Sequence, residues 1–238
     1  MKNIIKKAVI SNYLYNILTG LILELIIYWP GPFGYKIRYI YYKHKLKLLG
    51  KNVKIDTGVY FQNPGYISIS DNCWIDRNVV ILAGPDHSDR EKIIRKNKKY
   101  PGEKGEVFIG ENVHISIGCI LSGISAGIYI SKNCGISAGS KIYAFNSHYR
   151  SERKPSDRKY CFGPMVPHER QAIVEGPIFL DENVGVALNC IILPGVTVGK
   201  DSFITINSVL KKDIDENIVY THSYKGLNKK YRFFQDLF

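Results

Sequence analysis

Bulky aliphatic residues return every six positions along most of this chain, and few folds accommodate that period. The series runs Ile69, Ile75, Ile81, then Ile109, Ile115, Leu121, then Ile130, Ile136, Ile142. It resumes at Leu180, Val186, Ile192 and continues through Val198, Ile204 and Leu210. A small or turn-forming residue often follows the aliphatic, as in Ile109-Gly110 and Val198-Gly199. Val, Cys or Ser stands four residues after it, as in Val79, Cys119, Ser140 and Cys190. Such a period is neither helical nor a plain strand alternation. It suits a short strand closed by a sharp turn, with three such units making one triangular coil. The aliphatic and the residue four later then both point inward. No single coil can bury its own face, so coils must stack into a continuous column. An ordinary β-sandwich would not hold such strict phase.

Grouped in threes, the hexads give coils beginning at 69, 109, 130, 180 and 198. Two long insertions, about 85–106 and 149–177, each leave after a third hexad, so both are expected at the same corner of the prism. They are rich in Lys, Arg, Pro and Gly and poor in aliphatics, the composition of surface loops. Long loops gathered on a rigid scaffold usually carry function. The chain divides into a helical, basic-aromatic segment (1–50), the β-helix (51–214) and a C-terminal tail (215–238). Its 45% apolar content supplies a core, and 23% charged residues argues against disorder. Of five cysteines, Cys73, Cys119, Cys134 and Cys190 share the small inward position and are expected as reduced core residues. That usage suits a cytoplasmic chain, and the spacing offers no disulfide framework or zinc site.

Charge is concentrated at the N-terminus: residues 1–54 hold ten Lys/Arg against Glu24 alone, and so carry +9 of the net +12. Tyr13 to Trp29 is strongly apolar and ends at Pro30-Gly31-Pro32, which stops a helix. It is at the short limit for a membrane span, Glu24 near its middle is costly there, and no small-residue cleavage site follows. The next stretch, Tyr35 to Lys45, interleaves aromatic and basic residues in a way that suits a headgroup interface. Besides a true span, two readings stay open. Residues 1–50 cap the β-helix or pack between subunits, or they meet a membrane surface, at the cytoplasmic face of the inner membrane. No nucleic-acid-reading motif is present, and nucleic acid is not an expected partner.

The hexads resemble the hexapeptide-repeat acyltransferases, whose fold is the all-β, left-handed parallel β-helix, and most of all the sugar O-acetyltransferases of bacterial surface polysaccharides. The resemblance covers roughly residues 50–225. Its most specific stretch runs from Gly176-Pro177-Ile178-Phe179-Leu180-Asp181-Glu182-Asn183-Val184-Gly185-Val186-Ala187 through Ile192-Leu193-Pro194-Gly195-Val196-Thr197-Val198-Gly199, closing with Asn207 to Ile214. This is similar to the coenzyme A-binding end of that family. The entry Pro30 to Gly34 is similar to membrane-associated members. The resemblance implies a homotrimer with acetyl-CoA, as acyl donor, in the groove between subunits. Ala187, Leu188, Pro194, Gly195, Thr205, Ile206 and Lys211 would line its path, with Lys211, Lys212, Lys225, Lys229, Lys230 and Arg232 available to the phosphates. No metal is required.

Family members use one histidine, set just before the coenzyme-binding coils, as general base. The matching segment here is Tyr143-Ala144-Phe145-Asn146-Ser147-His148, and His148 falls six after Ile142, where an aliphatic would otherwise stand. Its imidazole could take the proton of an acceptor hydroxyl and then protonate the departing thiolate. Asn146 is a candidate for contact with the acceptor or the oxyanion. His87, six after Ile81 at the mouth of the other insertion, is a rival base and a candidate acceptor ligand. Three departures from the family pattern stand out. Gly185 replaces a common Trp, so an aromatic wall there must come from elsewhere. Ile206 replaces a small residue, and Thr221-His222-Ser223-Tyr224 replaces the usual tail turn. The leading expectation is acetyl transfer to a sugar hydroxyl; N-acetylation of an amino sugar and a non-catalytic scaffold are the alternatives. A zinc site of three converging histidines is not offered by the spacing of His87, His114 and His148.

Overall fold

The computed structural model describes residues 17–148, 160–161, 163–222 and 228–232, with side chains of 222 and 228–232 left aside. Two helices, α1 over 17–28 and α2 (Gly31–Lys43), lead into the coils. The first coil is β1 (Leu48–Leu49), β2 (Lys54–Ile55) and β3 (Tyr60–Gln62); the second is β4 (Ile67–Ile69), β5 (Trp74–Ile75) and β6 (Val80–Leu82). The first insertion carries β7 (Glu91–Ile94). Then come β8 (Val107–Ile109), β9 (His114–Ile115), β10 (Ile120–Ser122), and β11 (Ile128–Ile130), β12 (Gly135–Ile136), β13 (Lys141–Tyr143). The second insertion carries β14 (Phe145–His148) and β15 (Ala172–Glu175). The last full coils are β16 (Ile178–Leu180), β17 (Gly185–Val186), β18 (Ile191–Ile192), and β19 (Thr197–Val198), β20 (Phe203–Ile204), β21 (Val209–Leu210). β22 (Ile218–His222) and β23 (Asn228–Arg232) follow.

Strands of successive coils stack in parallel into the three faces of a left-handed β-helix. Face A holds β1, β4, β8, β11, β16 and β19; face B holds β2, β5, β9, β12, β17, β20 and β22; face C holds β3, β6, β10, β13, β18 and β21. The register keeps the sequence columns in line, Ile75 on Ile115 on Ile136 on Val186 on Ile204. Every aliphatic of the six-residue series is at most 1% exposed, and Cys73, Val79, Val113, Cys119, Cys134, Val184, Cys190 and Val196 are buried between them. The Cys73, Cys119, Cys134 and Cys190 thiols each donate to a carbonyl of the next coil, those of Gly110, Ser137, Asp181 and Thr205. Each fills a volume too small for an aliphatic and satisfies its weak donor there.

The corners depend on a residue three after the aliphatic. Asn52, Asn72, Asn78, Asn112, Asn133, Asn183, Asn189 and Asn207 all hold φ between 54° and 61°. Asparagine tolerates this left-handed conformation better than other side-chain-bearing residues. Its amide also bonds along the prism axis, Asn52 to Asn72 at 3.0 Å and Asn189 to Asn207 at 2.8 Å. These bonds form a polar ladder outside the corners.

The coils extend past the 51–214 span at both ends. Leu49, Ile55 and Phe61 keep the same spacing, but a short turn at Pro64–Tyr66 lengthens the step to Ile69, so the phase breaks and the first coil escapes notice. Downstream, β22 adds to face B by pairing Val219 with Phe203. Both insertions leave from face C and return to face A, at one shared corner. They are more than loops. β7 pairs in parallel with β15, and β15 in antiparallel with β14, making a small separate sheet from segments some eighty residues apart. Residues 149–159 and 162 of the second insertion lie outside the described residues.

Candidate active site

The small sheet is fixed to the prism at one end. Gly176 N–H donates to Ala144 at 2.9 Å, Ala144 N–H to Ser122 at 2.8 Å, and Gly195 N–H to Gly176 at 3.0 Å. Arg95, just past β7, lies so close to Gly176 and Gly195 that a Cβ on Gly195 would sit 2.7 Å from the Arg95 Cβ. Gly195, with φ 82°, is thus needed for the first insertion to dock. Buried Glu175 ties the insertions together: it accepts from Ser125 Oγ and pairs with Lys104 at 3.1 Å. Asn97 braces the same corner, donating to Pro177 at 3.1 Å.

His148 ends β14, on the rung that aligns His148, Ala172 and Glu91; the rung nearest the prism aligns Phe145, Glu175 and Ile94. At β-strand rise these rungs are about 10 Å apart, so His148 sits at the far end of the arm. Asn146 and Ser147 are exposed and His148 is half-buried. His87 stands four residues before β7, exposed, on a turn organised by its neighbour. Asp86 accepts from Ser88 Oγ at 2.7 Å and Arg90 at 3.0 Å, and Lys92 lies 3.5 Å away. Burial raises the Asp86 carboxyl, but the Ser88 and Arg90 contacts more than reverse this and bring it down to about 2. Both candidate histidines therefore belong to the arm, one on each insertion. His114 has a different setting: it stacks on Trp74 and meets Asp76 at 3.1 Å on face B. His168 lies 3.4 Å from Asp89.

The expected coenzyme residues flank face C on both edges. Ala187 with Leu188, and Thr205 with Ile206, precede β18 and β21; Pro194 with Gly195, and Lys211, follow them. Leu188 and Ile206 are 53% and 61% exposed and form an apolar ridge, while Ala187 and Pro194 are buried and Lys211 is exposed. The N–H groups of Ala187, Thr205 and Gly195 are committed to the carbonyls of Ile204, Tyr220 and Gly176. A ligand there meets side chains and carbonyl edges. Lys225 lies outside the described residues, as do the side chains of Lys229, Lys230 and Arg232. The arm that carries His148 and the face C residues share the same corner of the prism.

At Gly185 the structure supplies an aromatic that sequence reasoning did not assign. The Phe203 ring, one coil on, lies over this glycine, 2.5 Å from where a Cβ would stand. The aromatic arrives from the neighbouring coil, in register with the glycine. Among the described residues no three His, Cys, Asp or Glu side chains converge as a metal site.

No protein-family model matches the chain. Among curated proteins, dTDP-4-amino-4,6-dideoxy-D-glucose acyltransferase of Escherichia coli is 28% identical over 169 residues, 71% of this chain and 74% of that one. Galactoside O-acetyltransferase of Lactococcus lactis is 30% identical over 114 residues, 47% of this chain and 50% of that one. Among solved structures, AntD, an N-acyltransferase from Bacillus cereus in complex with dTDP and 3-hydroxybutyryl-CoA, shares the fold with a TM-score of 0.62 at 21% identity, covering 82% of this chain and 87% of its own. Repeat, coil geometry and relatives agree: the proteins this chain resembles are sugar acyltransferases of the hexapeptide-repeat family.

Proposed function

We propose that this protein transfers an acetyl group from acetyl-CoA to a sugar hydroxyl in the assembly of a surface polysaccharide, with His148 as general base. The observation that carries the reading is the arm. Both insertions are folded into one sheet that starts beside the Gly176–Gly199 stretch and carries His148 at its far rung. An arm of this reach suits a site completed by the face C groove of a neighbouring copy, which is the arrangement a homotrimer offers. Neutral His148 accepts the hydroxyl proton as the oxygen attacks the thioester carbon; the C–S bond then breaks and the imidazolium returns the proton to the leaving thiolate. Asn146 and His87, exposed on the same arm, are the residues assigned to acceptor contact in this reading. Phe203 over Gly185, with Leu188 and Ile206, offers an apolar wall for the pantetheine, and Lys211 a cation for phosphate.

N-acylation of an amino sugar carried on a nucleotide is a second reading. It is favoured by the wider coverage of the Escherichia coli relative, whose acceptor is such a sugar. One experiment addresses both: acetyl-CoA turnover by wild type and His148→Ala, with paired acceptors differing only in hydroxyl against amine. Loss of about 100-fold or more in kcat for the hydroxyl acceptor, with coenzyme binding retained, is expected. Turnover that survives in His148→Ala but falls in His87→Ala would move the base to His87. Turnover of the amine alone would establish the second reading, and absence of any coenzyme binding would refute the transferase.

A further inference from the structure

Helix α1 turns its apolar face the wrong way for a helix packed on a core. Leu18, Leu21, Ile22, Leu25 and Trp29 recur at the three- and four-residue spacing of one stripe, and each is 45–59% exposed. The half-buried residues of this helix, Leu23, Ile26 and Ile27, lie on another side. The helix is nevertheless held firmly. The guanidinium of Arg38, itself fully buried, donates to Trp29 O and Ile55 O at 2.7 Å each and to Ile26 O and Ile27 O at 3.3 Å, pinning the end of α1 to α2 and the first coil. Helix α2 buries Gly34, Arg38 and Tyr42, and its outer stripe alternates Phe33, Lys36, Ile40 and Lys43. A contiguous apolar stripe of this kind marks a contact surface.

We propose that this end of the prism docks on an anionic lipid surface, with α1 lying in the headgroup region. Charge selects the partner. Among the described residues up to 54, Lys36, Lys43, Lys45, Lys51 and Lys54 are exposed and Glu24, beside Leu21 and Leu25, is the one carboxylate, so a second copy of the same segment would bring like charge against like charge, whereas an anionic bilayer neutralises it. No described helix is long and apolar enough to cross a membrane, and an exposed apolar stripe flanked by cations is the pattern of a helix lying in the interface plane. Tyr28 and Trp29 at the helix end suit the interface, and Lys36 and Lys43 flank the apolar side chains as snorkelling cations.

The test is sedimentation of the full chain with vesicles of phosphatidylglycerol and of phosphatidylcholine, alongside light scattering for assembly size. Wild type is expected to partition onto the anionic vesicles and to be released by salt. Leu21→Glu with Leu25→Glu, at exposed positions, should weaken partitioning about ten-fold or more, and Lys36→Glu with Lys43→Glu likewise. Equal binding to both lipids, no binding to either, or partitioning unchanged by both pairs would overturn the proposal. So would a fall in assembly size with the leucine pair, since a second copy would then be the partner. Acyl transfer to a soluble acceptor is expected to survive in both pairs, so loss of docking is separable from failure of the proposed reaction.

Discussion

Replacing Arg38 by Met removes a cation that links α1, α2 and the first coil while keeping most of the buried side-chain volume. Two of its four carbonyl contacts are at 2.7 Å, and the side chain has no solvent exposure. Burial also lowers the guanidinium pKa from its ordinary value, partly opposed by Asp56, so the cation is held by its hydrogen bonds against a desolvation cost. Taking the two short contacts as charge-assisted bonds whose acceptors are left buried, the loss is about 3–5 kcal/mol. Stacked coils contact only their neighbours, so the loss should fall on this end of the molecule. Trp29 and Trp74, the chain's two tryptophans, lie on α1's end and on the second coil, which makes fluorescence a local probe. In urea, Arg38→Met should show an early fluorescence transition, while far-ultraviolet dichroism of the coils unfolds as in wild type. Arg38→Lys should recover little, because a point ammonium cannot reach both short acceptors as a planar fork does. A single coincident transition within about 0.5 kcal/mol of wild type would refute this account of how α1 is held.

Two further outcomes follow from the coils. Burial raises the thiols of Cys73, Cys119 and Cys134 from 9.0 to about 11, so their folded-state stabilisation is complete below pH 9 and lost as pH climbs through about 11. A disulfide reagent at pH 8 should therefore reach at most Cys161 in native protein and all five cysteines after unfolding, and the melting temperature should fall between pH 9 and 11; reaction of the four buried thiols without unfolding would contradict it. Gly185→Ala drives a methyl into the Phe203 ring and should cost about 1 kcal/mol, with the cost largely erased in a Phe203→Ala background. Additive effects in that double-mutant cycle would mean the ring does not rest on the glycine.

The prism was written in local spacing. An aliphatic at every sixth residue, a small residue four later and a turn between them define a coil without reference to anything distant. Ile69 to Leu210 therefore land where the period puts them, and the two insertions share a corner by phase alone. Pro30-Gly31-Pro32 read as the stop of one helix, and the structure makes it also the start of α2; the first coil was not legible, because the turn at Pro64–Tyr66 shifts its phase. What only the tertiary structure decided is contact between segments far apart in the chain. β7 and β15 carry no mutual signal, yet the shared corner delivers them side by side and their edge hydrogen bonds close into one sheet. The same holds for Arg38: a basic residue in a basic-aromatic run looks solvent-facing until two separate segments, the end of α1 and β2, present their carbonyls to it. Phe203 reaches Gly185 only because stacking sets the two in register across one coil step, a pairing that spacing along a single coil does not encode.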